Sequence, residues 1–207
     1  MTPGGEGFIA VLDYGIGNLR SAQKALQHVG GDARLCTNAD QCDGAAGVVL
    51  PGVGAFGRCA EELRASGLDK VAVRAVEDGT PMLAVCVGMQ LLYCGSDESP
   101  GIAGLGILPG EVHLLTGAVK RPQMQWNQLE LLRPTLMFEG VTDGPWAYFV
   151  HSYAADASAD VVATCDYGGP VTAAVEREAL WATQFHPEKS GRDGLALLRR
   201  FVDACRA

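Results

Sequence analysis

Residues 81–88 read PMLAVCVG, an apolar run that ends on Cys86 and passes into a segment of helical composition. Small residues, Ala84 and Gly88, stand two positions either side of the cysteine. A strand that turns sharply into a helix brings its flanks close to the turn residue, so the flanks must be small. This is the pattern of a nucleophile elbow, with cysteine in the place of serine. A turn residue of this kind projects outward at a helix N-terminus, where the dipole favours a thiolate. Backbone N–H groups are also at hand there to hold an oxyanion. Taken alone, the same pattern fits a buried structural cysteine.

Working outward, the first half alternates short apolar runs with segments of helical period. Strands are expected at residues 8–12, 33–36, 47–50 and 82–85. Between them, Asn18 stands where it would cap a helix carrying Leu19, Ala22, Leu26 and Val29 on one face and ending at Gly30 and Gly31. Two further helices are expected over residues 58–65 and 68–77, and one directly after Cys86. Strand and helix in alternation imply a parallel sheet covered on both faces. The second half differs: strand-like runs at 112–115, 146–150, 161–165, 171–175 and 180–185 follow one another across Gly, Pro and Asp turns. These read as antiparallel hairpins added to the sheet. Ser190 would cap a last helix bearing Leu195, Leu198, Val202 and Cys205. The expected fold class is α/β, one domain over residues 1–207, with a central mostly parallel sheet flanked by helices and an antiparallel portion in the C-terminal half. Residues 1–7 are expected to be a flexible extension.

A formal net charge of -8 with scattered basic residues argues against binding nucleic acid, which needs clustered Lys and Arg. No apolar run is long enough to cross a bilayer, and residues 1–7 carry neither the basic cluster nor the apolar core of a secretory signal. The seven cysteines, at 36, 42, 59, 86, 94, 165 and 205, are odd in number and contain no Cys-x-x-Cys pair. That argues against a structural zinc site and suits a reducing, cytoplasmic compartment.

A second stretch, QFHPEKS at residues 184–190, complements the first. His186 follows an apolar strand and so stands at a strand terminus, a usual place for catalytic groups on an α/β sheet. Glu188 is two residues on; in an extended segment that spacing points both side chains the same way. A carboxylate beside a histidine orients the imidazole and stabilises its protonated form. A lone histidine at a strand end is more often structural, but with a cysteine elbow upstream the pair reads as a triad: Cys86, His186 and Glu188.

Five motifs then occur in order: DYGIGN (13–18), PGVGAF (51–56), CVGMQLL (86–92), YFVHSY (148–153) and FHPEKS (185–190). Together they resemble the class I glutamine amidotransferases, and among these the glutaminase subunits of imidazole glycerol phosphate synthase, an enzyme of histidine biosynthesis. The resemblance runs from about residue 8 to the C-terminus. Its Cys, His and Glu pieces are shared by the whole superfamily, whereas FHPEKS and YFVHSY are more particular to these subunits. It implies hydrolysis of glutamine by the triad, with the oxyanion held by Val87 and by the turn of Gly52, Val53 and Gly54. It implies a weak basal activity, gated by rotation of a peptide in that turn. Gln90, one helical turn beyond Cys86, is placed to bind substrate. The resemblance adds Glu98, Ser152 and Tyr153 to the substrate site, with Asp97 an alternative to Glu98; His151 either lines the site or simply fills a hydrogen bond. It assigns Trp126, Tyr148 and Lys189 to a partner interface, although core packing is the other reading of Trp126. The implied partner is a (β/α)8-barrel cyclase that forms a heterodimer and receives the ammonia; no cofactor and no metal are called for.

Three positions depart from the family pattern. Ala84 stands where these subunits usually have Gly, and Gln123 and Gln125 replace the His and Gly of a Pro-His-Met-Gly-Trp-Asn segment that faces the partner in relatives. The changed segment leaves room for a different ammonia acceptor, such as a sugar-modifying synthase. A non-catalytic assembly module is a further alternative, against which the intact triad speaks. The run from Gly52 to Gly57 also satisfies G-x-G-x-x-G, but the acidic ribose partner that a dinucleotide site needs would be Asp69, which lies in a helical stretch.

Overall fold

The computed structural model describes residues 7–141 and 144–207, so most of the expected N-terminal extension lies outside the described residues. Strand β1 (Ile9–Leu12) is buried at all four positions, as in a strand covered on both faces. Helix α1 (Leu19–His28) ends at Gly30, whose φ of +97° only glycine adopts freely, and the Gly31 N–H returns to the Leu26 carbonyl at 2.9 Å. Asn18 precedes this helix but makes no side-chain cap. There follow β2 (Ala33–Cys36), β3 (Gly47–Gly52), α2 (Phe56–Ala65), α3 (Leu68–Glu77), β4 (Met82–Cys86) and α4 (Val87–Gln90), the last a single turn. The second half contributes β5 (Val112–Leu114), β6 (Gln123–Gln128), β7 (Glu130–Leu131), β8 (Trp146–His151), β9 (Tyr153–Ala155), β10 (Val161–Asp166), β11 (Pro170–Arg177) and β12 (Leu180–Thr183). A 3-10 turn, Pro187–Lys189, leads into α5 (Gly191–Ala204).

Eight strands form the main sheet in the order β2-β1-β3-β4-β12-β11-β10-β7. The first five are mutually parallel and the remainder antiparallel. The expected α/β class is what the chain adopts. The hairpin reading of the second half needs correction: β12 pairs with β11 as a hairpin strand but also with β4 in parallel, which makes it part of the central sheet. Strands β5 and β9 pair apart from the main sheet, as do β6 and β8. β6, β7 and β9 escaped the sequence reading. Residues 123–128, QMQWNQ, carry few of the β-branched residues that mark a strand, and they are held by pairing to β8 along their whole length.

Registration of β3, β4 and β12 sets the site. Gly52 lies opposite Cys86, and Val85 opposite Thr183, so three chain ends emerge at one edge of the sheet. Such C-terminal strand ends are where open α/β sheets place ligands. Gly88 is constrained from a direction the sequence did not indicate. A Cβ there would run into the Leu50 carbonyl of the neighbouring strand, and one on Gly52 would sit 2.7 Å from the Gly88 nitrogen. The elbow must be small because β3 passes beneath it. Gly88→Ala should therefore unfold at clearly lower denaturant than the parent, with a loss of about 3 kcal/mol or more because backbone rather than a side chain must give way; an unchanged urea midpoint would show that the elbow can shift.

Candidate active site

Cys86 has φ 56° and ψ -113°, a conformation that costs a non-glycine residue on the order of 1–3 kcal/mol and occurs where the surroundings enforce it. It ends β4, is only 3% exposed, and lies at one wall of a cavity of about 260 Å³. The expected contribution of a helix dipole is reduced here. α4 has four residues, too few for peptide dipoles to add up to a large end charge.

His186 lines the same cavity. The chain leaves β12 extended, with His186 at φ -98° and ψ 98°, and then enters the 3-10 turn. Glu188 therefore approaches by chain reversal and not by the alternation of an extended segment, which corrects the reason for the pairing but not the pair. His186 Nδ1 lies 2.9 Å from Glu188 Oε1, with both side chains nearly excluded from solvent. Its buried Nε2 has no partner in hydrogen-bond geometry, and the residue lines the cavity shared with Cys86. Burial alone would lower the imidazole, but the nearby Cys86 and the Glu188 carboxylate outweigh it and raise the group to about 9.

Ser190 was expected to cap α5. Instead its hydroxyl donates to the His186 carbonyl at 2.7 Å and accepts the Tyr148 N–H at 3.0 Å. It thereby ties the histidine turn to β8.

Val53, Val87, Gln90, Glu98, Ser152 and Tyr153 line the cavity together with Cys86 and His186. Gly52 lies beneath it and Glu188 behind the histidine. Glu98 accepts the Phe56 N–H at 2.7 Å, and Asp97 turns away to His113 at 3.0 Å. Of the two acidic candidates, only Glu98 faces the cavity. Its contact, with that of Ser99 Oγ on the Gly57 N–H at 3.0 Å, occupies the start of α2, where a dinucleotide phosphate would have to bind.

Three buried side chains were passed over in the sequence. Tyr14 Oη donates to the Pro51 carbonyl at 2.6 Å, and Cys59 Sγ donates to that of Val53 at 3.3 Å, so carbonyls on both sides of Gly52 are held from below. Burial pushes both groups up, Cys59 to about 11, which keeps the donated hydrogens in place. Gln184 Nε2 reaches Cys86 Sγ at 3.8 Å, and its Oε1 accepts from Gln90 at 3.0 Å. The available signal was a glutamine within the apolar run at 180–185, since a fully buried amide must be hydrogen-bonded.

Outside the cavity, Trp126 is 46% exposed, which removes the core-packing reading. Its ring meets Tyr148 edge-on at 6.0 Å, and Lys189 Nζ stands 6.0 Å over the Tyr148 ring. Gln123 does not share this face. It is fully buried and bonds Asn127 Oδ1 at 3.2 Å and Cys165 Sγ at 3.6 Å, whereas Gln125 is exposed.

A cysteine on an elbow facing a carboxylate-backed histidine above a parallel sheet is the make-up of a thiol hydrolase. The model of the family described as glutamine amidotransferase class-I matches residues 10–205, and the chain belongs to that family. Among its relatives is the imidazole glycerol phosphate synthase subunit HisH of Methanothermobacter thermautotrophicus, 46% identical over 200 residues that cover 96% of this chain and 100% of that protein. The subunit of the same name from Syntrophotalea carbinolica is 45% identical over 205 residues, with 94% and 99% covered. A solved glutamine amidotransferase superposes with a TM-score of 0.77 at 21% identity over 97% of this chain and all of that one, and a chain of the Thermotoga maritima PurLQS structure with 0.73 at 18% over 96% and 99%. At that identity the two structures speak to the fold alone. No described helix is long and apolar enough to cross a membrane.

The raised His186 has a consequence for stability. Its folded value of about 9 lies above an unfolded value near 6.5, so the folded state gains from the proton. That contribution is fully present below pH 6.5 and is lost as pH rises through 9. The urea midpoint of the parent minus that of His186→Gln should fall across this window; a constant difference would contradict the assigned environment.

Proposed function

We propose that this chain hydrolyses glutamine to glutamate and ammonia with Cys86, His186 and Glu188, and delivers the ammonia to a (β/α)8-barrel cyclase with which it forms a heterodimer in histidine biosynthesis. The observation that carries the chemistry is the histidine held through Nδ1 by Glu188, its buried Nε2 without a hydrogen-bond partner, in the lining of the cavity that Cys86 also lines. His186, raised by Cys86 and Glu188, holds the proton given up by the thiol while the sulfur attacks the side-chain amide carbon of glutamine. Glu188 steadies the charged ring. The oxyanion is held by the N–H of Val87 with N–H groups of the turn at Gly52, Val53 and Gly54. His186 then returns the proton to the nitrogen, the C–N bond breaks, and ammonia leaves a glutamyl thioester. Water, deprotonated by the same ring, cleaves the thioester and frees glutamate and Cys86.

Gln90, Glu98, Ser152 and Tyr153 surround the rest of the substrate; a half-buried carboxylate at Glu98 suits the α-ammonium. The oxyanion turn supports a gated enzyme. Loss of a single oxyanion donor costs roughly 10²–10³ in kcat, so rotation of one peptide there would separate resting from active states.

For the partner, the supporting observation is the exposed ribbon of β6 and β8, where Met124, Trp126 and Trp146 are 61%, 46% and 52% exposed, with Tyr148 and Lys189 beside Trp126. Large apolar side chains gathered at one surface mark an interaction site.

Glutamate release from glutamine should be slow for the chain alone and strongly stimulated by the cyclase with its ribulosyl ligand. Cys86→Ala should remove it in both conditions; a variant that still released glutamate would end the assignment. Trp126→Ala should weaken association with the cyclase by about tenfold or more in a titration, as expected for a central aromatic anchor, while leaving hydrolysis by the isolated chain within a few-fold. Unaltered association would remove Trp126 from the interface.

A further inference from the structure

One buried group in the cavity is left out of the mechanism above, and the inference from it rests on that reading of glutamine as substrate. His151 ends β8, is 6% exposed, and lines the cavity with Cys86 and His186. Its Nδ1 lies 2.8 Å from the Tyr153 carbonyl oxygen. A carbonyl has no hydrogen to give, so the hydrogen is on Nδ1. Burial holds the ring well below the usual histidine value, at about 4; the Tyr153 carbonyl works against this and the neighbouring His186 adds to it. The ring is thus neutral near pH 7, and Nε2 is a bare acceptor. That nitrogen meets no hydrogen-bond partner.

Its orientation is held by a chain of contacts. The same Tyr153 carbonyl takes the Gln90 amide at 2.9 Å, Gln90 reaches Gln184 at 3.0 Å, and Gln184 reaches Cys86 at 3.8 Å. Turning the imidazole away from the cavity would break the first link in this chain. A buried acceptor without a donor is costly, and an enzyme keeps one where the reactant supplies the donor.

The substrate has a donor of the right kind. In a glutamine side chain the carboxamide oxygen is an acceptor, to be met by backbone N–H groups at Val87 and the Gly52 turn. The carboxamide nitrogen carries two N–H donors and must also receive a proton from His186. It therefore needs an acceptor that is not itself an acid. Glu98, the carboxylate that lines the cavity, takes the Phe56 N–H and is assigned above to the α-ammonium at the other end of the substrate. We propose that His151 Nε2 accepts a hydrogen bond from the nitrogen of the scissile carboxamide, orients it toward His186, and retains that bond as the nitrogen leaves as ammonia.

A substrate without the donor separates this role from simple packing. L-Glutamate γ-methyl ester presents the same carbonyl to Cys86, but its leaving oxygen bears no hydrogen. Both substrates would be assayed on the same preparation of the full chain, alone and with the cyclase, so that the ratio of rates is independent of the amount of folded enzyme. In His151→Leu, kcat/KM for glutamine should fall about tenfold or more, the scale of a buried acceptor lost, while that for the ester changes less than about threefold. His151→Gln, which can present an amide oxygen near the Nε2 position, should recover most of the loss with glutamine. His151→Ala carries the same comparison if the leucine variant does not fold. Equal losses with both substrates would reduce His151 to a structural residue and overturn the proposal, as would an unchanged glutamine rate. A parent chain that hydrolyses the ester but not glutamine under either condition, or neither substrate, would instead remove the glutaminase reading and this inference with it.

Discussion

The site depends on the close passage of β3 under the elbow at Cys86. Parallel pairing aligns Gly52 with Cys86, and the absence of side chains at Gly52 and Gly88 lets the two backbones approach to a distance at which a single Cβ would collide. The same approach brings the turn at Gly52, Val53 and Gly54 beside the cysteine. The left-handed conformation of Cys86 is sustained by the surrounding structure: β4 and β12 are buried at every position, and α4 is packed on β3. Strain of a few kcal/mol in one residue is tolerated because the rest of the sheet is strongly determined.

Around this backbone core the polar side chains form a connected set. Gln184 reaches the sulfur, Gln90 reaches Gln184, and the Tyr153 carbonyl gathers Gln90 and His151. Most of the buried polar groups in the wall thus have partners, which makes the two that do not, His151 Nε2 and His186 Nε2, informative. Both are ring nitrogens, and both belong to residues that line the cavity of Cys86. Their ionisation is set in opposite directions: Glu188 and Cys86 raise His186 against burial, while His151 is left to burial and stays neutral. Two histidines in one cavity thereby take on different chemical characters, one able to hold an extra proton and one that stays neutral, with an Nε2 that can only accept a hydrogen bond.

The exposed ribbon of β6 and β8 obeys a different constraint. β6 pairs only with β8 and lies outside the main sheet, so its composition is not forced to be apolar. Its large exposed side chains, Met124 and Trp126, contribute nothing to the central core. Gln123, at the start of the same strand, is turned inward against Cys165 and Asn127. The two glutamines that differ from the family pattern therefore act at different places, Gln123 inside the fold and Gln125 on its surface.

Much was legible from residues alone. Strands β1 to β4 and helix α3 follow from runs of aliphatic side chains and from helical period, because burial on both faces of a parallel sheet demands those patterns. The cysteine elbow was readable because its flanks must be small, and the His-Pro-Glu sequence because a carboxylate close to a histidine has a recognisable chemistry. The strands β6, β7 and β9 were not readable, since pairing partners rather than their own side chains hold them. Neither was the parallel bond between β12 and β4, which joins segments far apart in the chain. Sequence by itself determined which residues can do the chemistry, because chemical character is a property of each side chain. Only the tertiary structure decided which of them share one cavity, that Glu98 and not Asp97 faces it, and that His151 and His186 hold protons differently. Those outcomes depend on burial and on distances between remote segments, and neither is written in any local stretch of chain.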